Sequence, residues 1–228
     1  MNFCNKPVRS RSRYSERDLH RCFKPAGHSG ECDEFPYLRH LLIEAPRVAS
    51  KILRDSTMTT GASWKSADAG PNRIRRWVML RSDEELLEIG IDMSKLKPQV
   101  VAKLRDKAAD YASCMEVARK LTGLVYEMQN APVPPPDVAR YLAEILGPLK
   151  PGATICLVCR EPLSFELFHR ARRGRAEIET SHSNPRLHTA ENAGFAHRAC
   201  NIAQGDKSLE EFYGWISRIL ERARGRAI

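Results

Sequence analysis

No run in the 228 residues approaches the roughly 20 apolar side chains that a membrane span requires, so no membrane partner is expected. The opening stretch MNFCNKPVRSRSRYSERD has no apolar signal region, and a reducing cytoplasm is the expected setting. Secreted disulfide scaffolds are short and even in cysteine, whereas this chain is long and has seven. The sequence also lacks a βαβ pattern around its CxxC pair, which excludes a thioredoxin-like redox role. It has no signature of an RNA-stacking sheet. Residues 1–35 are poor in core-forming side chains and cannot order by hydrophobic burial alone.

What is present points to nucleic acid. The formal net charge is +9, which favours a polyanionic partner. The excess is spread along the chain, and its densest run is Arg170, Arg172, Arg173 and Arg175. The cysteines fall as Cys4, Cys22, Cys32, then Cys114, then Cys156, Cys159 and Cys200. Each outer trio has a histidine among its members, which suits thiolates held by metal.

Along the chain, Cys4, Cys22, His28 and Cys32 form a candidate zinc knuckle over residues 1–35, with His20 as a rival ligand. Lys6, Arg9, Arg11 and Arg13 beside it are candidate phosphate contacts. Residues 36–130 read as a helical domain. Leu38, Leu41, Leu42 and Ala45 share a face, Pro46 interrupts, and Val48, Ile52 and Leu53 follow. A loop with Trp64 leads to a short element at Ile74–Leu80. Ser82 and Glu85 form a capping box for a helix that Gly90 stops. Apolar residues from Val101 to Val125 in steps of three and four predict one helix over about 97–129, with Cys114 a buried thiol. Residues 131–152 read as a Pro-rich linker and a short helix over Asp137–Leu146. A domain boundary is expected near residue 150.

The stretch from Cys156 to Asp206 carries the chemistry. Cys156-x-x-Cys159 opens it and His197-x-x-Cys200 closes it, the paired soft ligands that a tetrahedral structural zinc requires. Between them lie IETSH (178–182), His188 and Asn192. The segment resembles the HNH nucleases, whose ββα-metal fold wraps two strands and a helix around one catalytic cation. IETSH matches the first strand with its catalytic histidine, Asn192 the central Asn, and Asn201 the last letter, which makes an HNN variant. GDKSLEEF (205–212) matches the exit into a C-terminal helix, and the resemblance covers roughly residues 153–215.

The resemblance implies a mainly α protein with a small zinc-framed ββα-metal nuclease domain over 153–228, and a metal-dependent DNA endonuclease of a bacterium or phage-infected cell. His182 is the expected general base, with Asn192 holding its tautomer. Asn201 and Ser181 are expected to hold Mg²⁺ or Mn²⁺, beside one or two structural Zn²⁺ ions. Ser181 stands where the family has Asp or His, and His188 and Glu179 are candidate substitutes, although strand alternation turns Glu179 away from His182. Arg198 joins the run Arg170 to Arg175 as a candidate DNA contact. Cutting both strands implies a possible homodimer. The alternative is a zinc-stabilised nucleic-acid-binding protein with a non-catalytic HNH fold.

Overall fold

A computed structural model describes residues 2–8, 20–59, 74–169 and 176–225 of the chain. Arg9, Arg11, Arg13, Trp64 and the run Arg170, Arg172, Arg173 and Arg175 lie outside the described residues. Helix α1 (Arg39–Glu44) ends where Ala45 leaves helical geometry, and Pro46 then opens α2 (Pro46–Thr57). Proline suits a first helical position because the N–H it lacks would have no intrahelical partner there. Val48, Ala49 and Ile52 put one face of α2 into the core. A 3-10 turn at Arg76–Leu80 buries Trp77, Val78 and Met79. The capping box at Ser82 forms in full: its side chain takes the Glu85 N–H, and the Glu85 carboxylate takes the Ser82 N–H, opening α3 (Asp83–Glu88).

The segment expected to be one helix over about 97–129 is two, α4 (Pro98–Asp106) and α5 (Tyr111–Tyr126). The break has a local and a distant cause. Asp110 is extended and accepts the Ser113 N–H at 2.8 Å, acting as an N-cap in the middle of the periodic pattern. From the 3-10 turn, the Arg76 guanidinium donates to the Lys107 carbonyl at 2.8 Å, satisfying a group that a continued helix would have used.

Helix α5 is the centre of the molecule and packs on α2 and on the sheet. Helix α6 (Pro136–Leu146) follows the prolines, and α7 (Phe165–His169) precedes the sheet. Strands β1 (Ile178–His182) and β2 (Ala193–His197) pair antiparallel, with Ile178 opposite His197 and His182 opposite Ala193. Helix α8 (Arg198–Gln204) follows β2 without a loop, and α9 (Leu209–Arg224) ends the described chain.

The boundary expected near residue 150 does not divide the core. Leu41, Ile52, Leu121 and Leu142 share one buried cluster with Cys156, Leu163, Ile178, Phe195 and Phe212. Each such large side chain contributes about 1.5–3 kcal/mol by leaving water. A second cluster joins Trp77, Val78, Leu86, Leu104, Cys114 and Met115. Cys114 is a buried thiol there, and burial pushes it up to about 12. Among the described residues, no helix is long and apolar enough to cross a membrane.

Candidate active site and metal clusters

The two ligand quartets assemble as the spacing predicts. Cys156, Cys159, His197 and Cys200 bring their ligand atoms within 4.8 Å of one another. His197 is both the last residue of β2 and the N-cap of α8, so the cluster pins a strand-to-helix junction. The Cys156–Cys159 turn lies against it because the Leu157 N–H donates to the Phe195 carbonyl at 2.9 Å. Gly194 leaves room beneath this turn: a Cβ there would sit 2.9 Å from Leu157 Cδ1, and the leucine side chain would have to shift.

Tetrahedral zinc with Zn–S near 2.3 Å and Zn–N near 2.0 Å implies edges of about 3.5 Å for S···N and about 3.8 Å for S···S. The Cys159 Sγ to His197 Nδ1 separation is 3.4 Å. Burial opposes charge on Cys156, but N–H groups of Cys159, His197 and Val158 draw its thiol down to about 7. Burial and the neighbouring Cys156 and Cys159 push Cys200 up to about 12. A dication among these sulfurs would relieve that crowding, so the donor set fits zinc.

Cys4, Cys22, His28 and Cys32 form the second quartet. Cys22 Sγ lies 3.4 Å and Cys32 Sγ 4.0 Å from His28 Nε2, and Cys4 and Cys32 are 4.0 Å apart. His28 Nδ1 faces the Ser29 carbonyl at 3.1 Å and must donate to it, so Nε2 is the bare nitrogen, as a metal ligand needs. These donors fit zinc as well. His20, the rival ligand, is instead bound to Glu34 at 2.8 Å and packed edge-on against Trp77 and Tyr111.

His182 ends β1. Its Nε2 is 3.0 Å from Nδ1 of His188, and His188 Nε2 is 2.7 Å from the Ser56 carbonyl at the end of α2. Burial, helped by the Arg76 and Lys107 charges, depresses His182 to about 4. Asn192 does not reach the His182 ring. Its Oδ1 accepts from Ser183 Oγ at 2.6 Å and the Asn184 N–H at 2.7 Å. Its Nδ2 donates to the Asn184 carbonyl at 2.8 Å and the Leu187 carbonyl at 2.5 Å. All four bonds fold the loop that follows His182, one step removed from the tautomer-holding role expected of Asn192.

On the other face of β1, Ser181 is buried with its hydroxyl 3.3 Å from Gln204 Oε1. Gln204 Nε2 donates to the carbonyls of His182 at 2.9 Å and Lys207 at 3.0 Å. Asn201 is half-buried one turn earlier on α8. Glu179 is bound to Lys51 at 2.7 Å, and Asp55, which accepts from Thr180 Oγ1 at 3.0 Å, is bound to Lys51 and Arg54. Burial opposes the Asp55 charge, but Lys51 and Arg54 hold its carboxyl below the usual range. Both carboxylates are held in ion pairs, and His188 is hydrogen-bonded to His182. Arg198 is exposed at the start of α8, and His169 stacks on Phe165.

Gln204, Asp55 and Arg76 were missed in the sequence. Gln204 sits just before the GDKSLEEF exit, where its polarity on an inward helix position was the available signal. Asp55 and Arg76 carried none, because their partners lie on other elements.

This fold is that of a restriction endonuclease. It is similar to a solved structure described as a type II restriction endonuclease, at 46% identity and a TM-score of 0.85, over 98% of this chain and 99% of that one. The family model described as DraIII matches residues 34–200, which include both strands and the whole Cys156 quartet, and the chain belongs to that family. No curated protein sequence matches it. The chain is a restriction-endonuclease-like nuclease that hydrolyses phosphodiester bonds.

Proposed function

We propose that the chain is a metal-dependent DNA endonuclease whose β1–β2–α8 unit works as an HNH site. One observation carries this reading: α8 follows β2 without a loop and returns to β1, where Gln204 donates to the His182 carbonyl at 2.9 Å, so the helix that carries Asn201 is tied to the backbone of His182. A bare imidazole nitrogen on His182 takes a proton from water as the water oxygen attacks phosphorus and the P–O3′ bond breaks. Neutral at cellular pH, His182 is in the form a base requires. A divalent cation such as Mg²⁺ or Mn²⁺, when bound, would supply positive charge near the scissile phosphate. Asn201 is the oxygen donor that would hold it. Ser181 would reach it only by releasing Gln204. Zinc in both quartets is scaffolding. Arg198 and the run Arg170 to Arg175 are proposed phosphate contacts.

Helix α9 supports a homodimer, since it presents Tyr213, Trp215, Ile219 and Leu220 to solvent. Two protomers would bring one site to each strand.

The test is plasmid nicking by the zinc-loaded protein with Mg²⁺ or Mn²⁺. His182→Ala is expected to slow cleavage by about 10²–10⁴-fold. Cleavage at full rate in that variant removes His182 from its role. A wild-type protein that binds DNA and cuts neither methylated nor unmethylated plasmid would be the non-catalytic binding module instead.

A further inference from the structure

The His182–His188–Ser56 chain has a consequence that depends on which atoms can donate. The Ser56 carbonyl only accepts, so the 2.7 Å bond requires a hydrogen on His188 Nε2. That carbonyl is held in turn, because Ser56 is buried in the last turn of α2 with its hydroxyl on the Ile52 carbonyl at 2.7 Å. His188 is 5% exposed. Burial first, then the Arg76 charge and His182 itself, push its ring down to about 2, against weak support from the Ser56 carbonyl and Asp55. The ring is therefore neutral and carries one hydrogen, already committed to Ser56. Its Nδ1 is a bare acceptor, so the 3.0 Å contact requires the hydrogen to sit on His182 Nε2. His182, with a single hydrogen of its own, keeps a lone pair on Nδ1. No described residue hydrogen-bonds that nitrogen.

We propose that His188 is the positioning residue of the active site: anchored on the Ser56 carbonyl, it fixes His182 as the Nε2–H tautomer and dedicates Nδ1 to the water. The proposal rests on His182 acting as the base. In the step itself, Nδ1 gains the water's proton, the hydroxide oxygen bonds to phosphorus, and the P–O3′ bond breaks with its electron pair leaving on O3′. The imidazolium then keeps its Nε2–H on the His188 lone pair. A neutral orienter differs from a carboxylate one: it sets the tautomer without raising the basicity of Nδ1. The anchor also couples the site to the helical region, since Ser56 lies 132 residues from His188 in the chain. Asn192 enters here, because its four bonds shape the loop that brings His188 back under His182.

The discriminating variants are His188→Asn and His188→Leu in the full zinc-loaded chain. The asparagine amide oxygen falls where Nδ1 was and accepts from His182, while leucine fills the volume with no acceptor. In wild type, ¹⁵N spectra of the labelled imidazoles, assigned by the resonance lost in His182→Ala, should show His182 protonated at Nε2 and bare at Nδ1. In His188→Leu the two tautomers should mix. Its turnover with Mg²⁺ should fall by about 10²-fold at unchanged KM for DNA and unchanged zinc content, with His188→Asn recovering to within about tenfold of wild type. A wild-type His182 protonated at Nδ1 overturns the proposal, and the spectrum answers this even if His188→Leu does not fold. A folded His188→Leu that turns over at the wild-type rate, while His182→Ala is inactive, overturns the proposal alone. Full activity in His182→Ala overturns the reading of His182 as base, and the proposal with it.

Discussion

The two cysteine–histidine quartets have the same donor set and opposite surroundings. Around the Cys156 quartet two of the ligands, His197 and Cys200, belong to β2 and α8, and Cys156 is part of the main core with Phe195 and Ile178. Around the Cys4 quartet the backbone is held by isolated bridges, Phe3 to Pro25 and Pro7 to Arg21. That segment touches the body through aromatic and cationic side chains. Phe3 and Phe23 meet edge to face at 5.5 Å, with the Arg119 guanidinium 5.6 and 5.0 Å from their ring centres. Tyr111 of α5 accepts the Arg21 N–H at 3.1 Å and donates to Glu34 at 2.7 Å. Metal at the first site would refine a junction that burial already orders. Metal at the second would supply order that burial cannot, as small segments without a core require.

The largest effect should come from separating the two. Metal analysis of Cys200→Ser and of Cys32→Ser should each show one zinc lost from two. Cys200→Ser should also lose cleavage by about 10²-fold or more, since Cys200 lies on α8, which carries the proposed ligand Asn201 and holds the His182 carbonyl through Gln204. Cys32→Ser should keep cleavage within about tenfold, while protease cuts the segment before residue 36. Equal loss of activity in both would mean that the knuckle takes part in the site and is no appendage.

The same contrast explains what could be read in advance. The quartets were legible because metal ligands within one turn leave a spacing signature. The Ser82 capping box was legible because all its partners lie within four residues. The break between α4 and α5 was not, because the apolar steps run through it while the Arg76 side chain that takes the Lys107 carbonyl comes from 31 residues away. The proposed site divides in the same manner. The proposed residues His182 and Asn201 carry a local motif. The proposed positioning contact of His188 does not, since it is anchored on a carbonyl of α2 that no side-chain pattern records. The expected domain boundary failed for a related reason: punctuation by proline and glycine marks a turn, whereas a shared core is a tertiary fact.

A smaller effect tests how β1 and α8 are joined on the face away from His188. Gln204 is fully buried and satisfies the His182 carbonyl, the Lys207 carbonyl and the Ser181 hydroxyl. Gln204→Ala leaves these groups unpaired, which should cost about 1–3 kcal/mol in urea unfolding. It should also lower turnover by about tenfold, because the His182 backbone loses its tie to the helix that carries Asn201. Loss of stability with unchanged turnover would mean that the Ser56–His188 side alone holds His182 in place.

The smallest expected effect distinguishes two caps of the same kind. Ser82 opens α3 and Ser208 opens α9, each with a complete capping box. Changing either serine to alanine should cost about 1 kcal/mol in denaturant unfolding. Their positions relative to the site differ. The first N–H of α9, at Leu209, donates to the Ser183 carbonyl at 2.8 Å, directly after His182 in the chain. The cap at Ser208 therefore steadies the loop that carries His188, whereas α3 packs in the second cluster around Leu86. Turnover should fall a few-fold in Ser208→Ala and stay unchanged in Ser82→Ala at equal loss of stability. Equal turnover in the two would show that the loop is held by the Asn192 bonds without help from α9, and the exposed helix would then serve the dimer and not the site.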